Sequence, residues 1–135
     1  MKNTYDVQLL ELAVRHSLRR STLYVNGLSK SIESYIRPPR EWKTIKDAGV
    51  ALFLPEKGGS YSVFETRPVD PLILSYCAQD VALLLKLEKT LKRSFGPFGS
   101  DWENRIIAGS IGRVAQARSL VYEGAGRHRA IAPDI

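Results

Sequence analysis

A tyrosine and an aspartate four residues apart, Tyr76 and Asp80, are the side chains of this sequence best placed to do chemistry. The segment from Asp70 to Phe95 has the pattern of a helix, in which Asp70 can cap the first turn and Pro71 suits the first position. At about 100° per residue, Asp80 and Tyr76 fall on the apolar face of that helix. Because a buried carboxylate is unfavourable without a partner, we expect a metal ion, a cation or a hydrogen-bond network beside Asp80.

The same two residues also admit an interpretation without chemistry. Asp80 can be a buried hydrogen-bonding residue, and Tyr76 a core side chain with a satisfied hydroxyl group. However, side chains at positions i and i+4 of a helix project side by side, so both oxygens can meet one ligand. The pair therefore favours a functional site, while the spacing alone leaves both interpretations open.

Three segments resemble motifs of one enzyme family. The run RPVDPLILSYCAQDVALL, from Arg67 to Leu84, resembles the third motif of the DEDD 3′–5′ exonucleases of the ribonuclease D type, which carry Tyr-x-x-x-Asp on their last helix. The run NTYDVQLL, with Asp6 at a helix start, is similar to the second motif, and GLSKSIESY resembles the short helix between the two. The resemblance implies an α/β, ribonuclease H-like fold, of which this chain would be a mainly α carboxy-terminal portion lacking the first strands. Residues 1–95 would form a partial exonuclease domain, and residues 96–135 a helical extension with a basic tail.

The resemblance also implies a chemistry and a set of catalytic residues. Family members hydrolyse phosphodiester bonds with two divalent metal ions, magnesium or manganese, which bridge the scissile phosphate and prefer hard oxygen ligands. Asp6 and Asp80 would be metal ligands, and Tyr76 would orient the attacking water. The expected partners are RNA or DNA, with single-stranded 3′ ends as the substrates.

The family's first motif, Asp-x-Glu, lies well upstream of the second, whereas Asp6 stands near the start of this sequence. The Asp-x-Glu at Asp101–Glu103 follows the third motif, and Ser100 with Glu103 predicts a capping box that opens a last helix. We therefore expect little or no catalysis from this chain alone. Two interpretations remain within the resemblance: a truncated exonuclease, or a non-catalytic nucleic-acid or protein interaction module on a degenerate exonuclease fold. A small basic helical protein unrelated to nucleases is the third.

The formal charge of +6 and the pI near 9.6 favour polyanionic partners. Arg37, Arg40 and Lys43 surround Trp42 in the sequence, which predicts phosphate contacts by the cations and base stacking by the indole ring. These four residues are our predicted nucleic-acid-binding residues. The alternative is a solvated surface with a structural tryptophan.

The remaining features limit the compartment and the partners. One cysteine, Cys77, excludes an internal disulfide framework and predicts an intracellular, reducing environment, with the thiol in packing. No apolar run reaches transmembrane length, so we expect no membrane association. Residues 50–54 and 60–64 predict a hairpin or an ordered loop, and the glycine-rich segment 123–129 predicts disorder or contact with nucleic acid. Helices without a sheet to cover them would expose apolar surface and favour self-association.

Overall fold

The computed structural model describes the backbone of residues 4–135 and the side chains of the same residues except 96–99. The α-helices of this part of the chain are α1 (Val7–Ser17), α2 (Leu28–Tyr35), α3 (Arg40–Phe53), α4 (Pro71–Ala82), α5 (Leu84–Lys92) and α6 (Gly99–Ala117). Short 3-10 helices occupy Pro55–Lys57, Tyr61–Phe64, Arg93–Phe98 and Arg127–Ala130. The chain divides into two compact units: the residues up to Ile36 together with Lys86–Ile135, and Arg37–Leu85. This division differs from the predicted boundary at residue 95.

The predicted α/β, ribonuclease H-like fold is wrong for residues 4–135, which are mainly helical and contain no strand. The β pairing found there is one isolated bridge between Tyr24 and Ile131. Residues 50–53 form the last turn of α3, because Phe53 continues the helical spacing that begins at Trp42. Residues 61–64 form a 3-10 helix, whose Phe64 ring lies 5.2 Å from the ring of Phe53. The predicted hairpin is therefore absent from this segment.

Helix α1 is the centre of the first unit. Six consecutive residues, from Leu9 to Val14, are buried, and such a run covers every side of a helix. The other apolar side chains that are buried in the same unit come from α2, α5, α6 and the 3-10 helix before α6: Ile32, Leu87, Leu91, Ile106 and Phe95. A helix that is apolar on all sides is stable only when it is surrounded, which explains why α6 packs on α1 from about a hundred residues away.

One carboxylate lies inside this apolar centre. Glu11 is fully buried, and both of its oxygens accept hydrogen bonds from Arg15 Nε, at 2.9 and 3.0 Å. Glu11 Oε1 also accepts from Asn26 Nδ2 at 2.9 Å and from the Tyr35 hydroxyl at 3.2 Å. Burial, and then the charge of Glu11, raise the pKa of Tyr35. The network joins α1 to the loop before α2 and to the end of α2.

The carboxy-terminal segment of the first unit contains a 3-10 helix at Arg127–Ala130, which overlaps residues 123–129, for which the sequence predicted disorder or contact with nucleic acid. Ala130 O accepts a hydrogen bond from Val25 N at 2.9 Å, and Ala132 N donates to Leu23 O at 3.0 Å. Backbone pairing thus joins residues 130–132, which follow the glycine-rich stretch, to residues 23–25.

The second unit is built on the packing of α3 against α4. Gly49 allows the closest approach, because a Cβ atom placed there would lie 2.6 Å from Tyr76 Cβ. The Phe53 ring lies 5.4 Å from the Tyr76 ring and 5.8 Å from the Tyr61 ring. The single helix predicted from Asp70 to Phe95 is interrupted at Leu83, where α4 ends and before α5 begins.

Helix α4 also has an exposed apolar side. Leu74 and Val81 lie seven residues apart on α4, Leu85 follows near the start of α5, and each of the three is more than half exposed. Cys77 is exposed on α4, so the prediction that its thiol is packed is wrong. The predicted self-association would use this surface. Within residues 4–135, no helix is both long and apolar enough to cross a membrane.

Candidate functional site

The cation expected beside Asp80 is Lys46. Lys46 Nζ lies 2.5 Å from Asp80 Oδ1, and it also donates to the Tyr76 hydroxyl group at 3.3 Å. The same ammonium group lies 4.5 Å from the centre of the Tyr76 ring. The prediction that the i and i+4 oxygens meet one group is therefore confirmed, and that group belongs to a side chain of α3.

Burial and hydrogen bonding act in opposite directions on Lys46. Burial lowers the pKa of its ammonium group, but the hydrogen bonds to Asp80 and Tyr76 and the charge of Asp80 outweigh burial and raise it overall. Burial also raises the pKa of the Tyr76 phenol, with a further contribution from Asp80 against the opposing effect of Lys46. The arrangement thus stabilises a charged lysine and a neutral tyrosine.

These two shifts predict a loss of stability at alkaline pH. A group whose pKa is higher in the folded than in the unfolded state stabilises the fold below the unfolded pKa, and this contribution is lost as the pH rises. The unfolded values are about 10.4 for lysine and 10 for tyrosine, so we expect the free energy of unfolding to fall above about pH 9.5. Urea unfolding at pH 9 and pH 11 measures this fall. It should be smaller in Lys46→Met; an equal fall in that variant would contradict the role given to Lys46.

Asp6, the second predicted metal ligand, belongs to the first unit and caps α1. Its Oδ1 accepts hydrogen bonds from Gln8 N at 2.9 Å and Leu9 N at 3.4 Å. Its Oδ2 accepts from Arg113 Nη1 at 2.8 Å, and its backbone N–H donates to Ser110 Oγ at 2.9 Å. Both oxygens are therefore engaged, one in capping the start of α1 and the other with an arginine of α6.

The residues present do not fit the two-metal site that the resemblance implies. Asp6 and Asp80 lie in different units, and each has a cation of its own chain within 2.8 Å. In the part of the chain that the structure describes, no group of three or more histidine, cysteine, aspartate or glutamate side chains is arranged to hold a metal ion. Hard divalent cations need several oxygen ligands, which neither carboxylate has beside it.

The Asp-x-Glu at residues 101–103 supplies no such ligands. The Glu103 carboxylate accepts from the Tyr5 hydroxyl at 2.8 Å and from Lys92 Nζ at 3.2 Å. Helix α6 begins at Gly99, so Ser100 lies within it and the predicted capping box does not open the helix. Glu103 instead joins α6 to Tyr5, just before α1, and to Lys92 at the end of α5.

The predicted nucleic-acid-binding residues divide into two kinds. Arg37, Arg40 and Lys43 are exposed, as phosphate contacts require. Trp42 is only 6% exposed, and its backbone oxygen accepts from Gln79 Nε2 at 3.1 Å. Because its side chain is buried, the ring has no free face for a base, and its predicted stacking role does not fit the structure.

The first unit contains a polar cavity that the sequence did not reveal. Its volume is about 520 Å³, and Gln8 from α1, Arg113 and Gln116 from α6, and Tyr122, His128 and Arg129 from the carboxy-terminal segment line it. None of the described residues that line this cavity is acidic. These side chains are far apart in sequence and show no motif spacing, so only the fold brings them together.

The position of Lys46, by contrast, could have been predicted from the sequence. Trp42, Lys46, Gly49 and Phe53 recur at helical spacing on one face of α3. A lysine on that face and an aspartate on the apolar face of α4 are each unfavourable alone and complementary together. The buried pair of Glu11 and Arg15 could also have been predicted, because Glu11 is the acidic residue of an apolar run and Arg15 follows four positions later.

Comparisons of the chain with protein-family models, with curated proteins and with solved structures find no match. Whether the chain is related to the DEDD exonucleases is thus a hypothesis that rests on the Tyr-x-x-x-Asp run and on Asp6.

Proposed function

We propose that this chain binds single-stranded nucleic acid without hydrolysing it, and that Tyr76 and Asp80 hold Lys46 instead of a metal ion. The observation that carries the proposal is the Lys46 ammonium group, which donates to both oxygens to which the exonuclease hypothesis gives a catalytic role. In that hypothesis a divalent cation would lie beside Asp80. A cation that is covalently part of the chain neutralises the carboxylate here.

The energetics of the ion pair support a structural role for it. The side chains of Lys46 and Asp80 are 13% and 24% exposed, so a metal ion that displaced the lysine would leave a largely buried ammonium group without its partner. Separating such a pair is strongly unfavourable. Asp6 faces the same obstacle, because Arg113 binds it and its other oxygen caps α1.

Charge and exposure support nucleic acid as the partner. The chain carries a net charge of +6, and Arg37, Arg40 and Lys43 are exposed close together in sequence at the start of α3. Such cations contact phosphates whatever the base sequence, and binding releases counterions. Three phosphate contacts on a single strand imply a slope of roughly −2 in log K against log salt concentration.

Hydrolysis and binding are tested separately. A 5′-labelled single-stranded oligonucleotide, as DNA and as RNA, is incubated with manganese and with the wild-type chain, Asp80→Ala or Lys46→Met. We expect full-length oligonucleotide in every lane. The exonuclease is the second candidate function, and it rests on the Tyr-x-x-x-Asp run and on Asp6. Stepwise shortening by the wild type that Asp80→Ala abolishes would support it and overturn the proposal.

Binding of the same oligonucleotide is measured by fluorescence anisotropy at several salt concentrations. Arg37→Gln combined with Arg40→Gln should weaken binding and reduce the size of the slope by about 1.4. Lys86→Gln combined with Lys89→Gln removes the same charge from exposed positions on α5 and is the matched control. Equal weakening by both pairs, or a wild-type chain that does not bind at low salt, would contradict the surface proposed.

A further inference from the structure

The polar cavity of the first unit has the size and composition of a ligand site. Its volume of about 520 Å³ lies in the range of small-molecule sites, roughly 300–1,000 Å³. One wall carries Gln8, the second carries Arg113 and Gln116, and the third carries His128 and Arg129. The donors thus come from three separate segments of the chain that line one cavity.

The arginines of the cavity are held in position before any ligand binds. Arg113 Nη1 donates to Asp6 Oδ2 and to Gln8 Oε1, each at 2.8 Å. Arg129 donates to the backbone oxygen of Glu123 and, at 3.4 Å, to Gln116 Oε1. A guanidinium group has five N–H donors, so each arginine keeps donors beyond these contacts. Side chains already fixed lose little conformational entropy on binding, which favours affinity.

The charges in the cavity select an anion. Asp6 compensates Arg113, whereas Arg129 has no acidic side chain among its described partners and lies 4.3 Å above the Tyr122 ring. Guanidinium groups bind phosphate through paired N–H···O contacts. A carboxylate has two oxygens in one plane, but a phosphate monoester has three terminal oxygens in a tetrahedral arrangement, which suits donors on three walls. The remaining wall, with Ile131 and Pro133, is apolar and suits the organic part of a monoester.

We propose that this cavity binds a phosphate monoester, with Arg113, His128 and Arg129 around the phosphate group and the organic part beside Tyr122 and Ile131. The site lies wholly in the first unit, and the argument for it uses no residue of the second unit. A phosphate monoester can come from a free nucleotide or from the phosphorylated end of a nucleic-acid strand. One experiment distinguishes these two ligands.

The full-length chain is titrated calorimetrically with adenosine monophosphate, with inorganic phosphate, and with a short oligonucleotide that carries either a terminal phosphate or a terminal hydroxyl group. We expect saturable, stoichiometric binding of adenosine monophosphate and weaker binding of inorganic phosphate. Tighter binding of the phosphorylated than of the hydroxyl oligonucleotide would identify strand ends as a source. Equal binding of the two oligonucleotides would restrict the cavity to free monoesters.

Variants locate the binding. Arg129→Gln should weaken binding of adenosine monophosphate at least tenfold, whereas Arg118→Gln, the same change at an exposed position of the unit outside the cavity, should alter it less than twofold. His128→Ala, at a largely solvent-exposed ring, gives a second measure and should weaken binding several-fold. Circular dichroism checks that each variant is folded. No saturable binding by the wild type, or equal losses in Arg129→Gln and Arg118→Gln, would overturn the proposal.

Discussion

Replacement of Glu11 by glutamine is expected to lower the free energy of unfolding by about 3–5 kcal/mol. Glutamine keeps the shape of the side chain but removes the charge that Arg15 binds through both carboxylate oxygens. The Arg15 side chain is 12% exposed and would keep its charge without a counterion. Since small domains are stable by only about 5–15 kcal/mol, a large part of the stability of the first unit depends on this one carboxylate.

Urea unfolding followed by circular dichroism measures the effect. Glu123→Gln is the matched control, because it is the same chemical change at an exposed position of the same unit, and it should shift the free energy by less than about 0.5 kcal/mol. Arg15→Met in the Glu11→Gln background removes the orphaned charge and should cost less than the sum of the two single changes. Additive losses would mean that the pair is not coupled as described.

Replacement of Gly49 by alanine is expected to loosen the packing of α3 on α4. The new Cβ atom would lie 2.6 Å from Tyr76 Cβ and Cδ2, well inside van der Waals contact, and neither atom is the free end of a flexible side chain. Overpacking of this kind costs about 1–3 kcal/mol. Alanine also favours a helix over glycine by about 1 kcal/mol, so the observed loss is the difference between two opposing effects.

Hydrogen exchange of the α3 and α4 amides reports on this loss directly, because those helices pack together in the second unit. Gly112→Ala is the control: it lies on α6, nothing approaches its Cβ position within 4 Å, and it should slightly stabilise the chain. Tyr76→Ala in the Gly49→Ala background removes the clashing ring atoms. The protection lost in this double variant should therefore be smaller than the sum of the losses in the two single variants. Protection that rises in Gly49→Ala, as it would if alanine only improved the helix, would contradict the close approach.

The sequence predicted local structure better than the architecture. Caps and helical spacing located α1, α2 and the start of α4, because Asp6 and Asp70 cap their own helices in the structure. The fold class was wrong because it came from a family resemblance, whereas the chain builds its core from helices alone. The interruption of the helix at Leu83 could not be predicted, because no glycine or proline lies near it in the sequence. Local patterns could not give the division into two units.

The candidate site was predictable in part. The position of Asp80 on an apolar face correctly indicated a charged partner, and Lys46 stood at the matching position of α3. The metal site was an inference from the family, and Arg113, which binds Asp6, is more than a hundred positions away with no spacing to suggest the contact. The cavity depends on the backbone pairing of residues 130–132 with residues 23–25, which no composition rule foresees.

The discontinuity of the first unit determines the order in which its core can form during synthesis. The backbone of Asp6 is bonded to Ser110, 104 residues later, so the all-round apolar helix α1 is made long before the helix that covers it. The second unit, Arg37–Leu85, is contiguous, and its contacts close over short stretches of chain. In a nascent chain, α1 is therefore present without the helix that covers it at a stage when the second unit is already complete. The apolar surface of α1 is most exposed to chaperones and to aggregation at this stage.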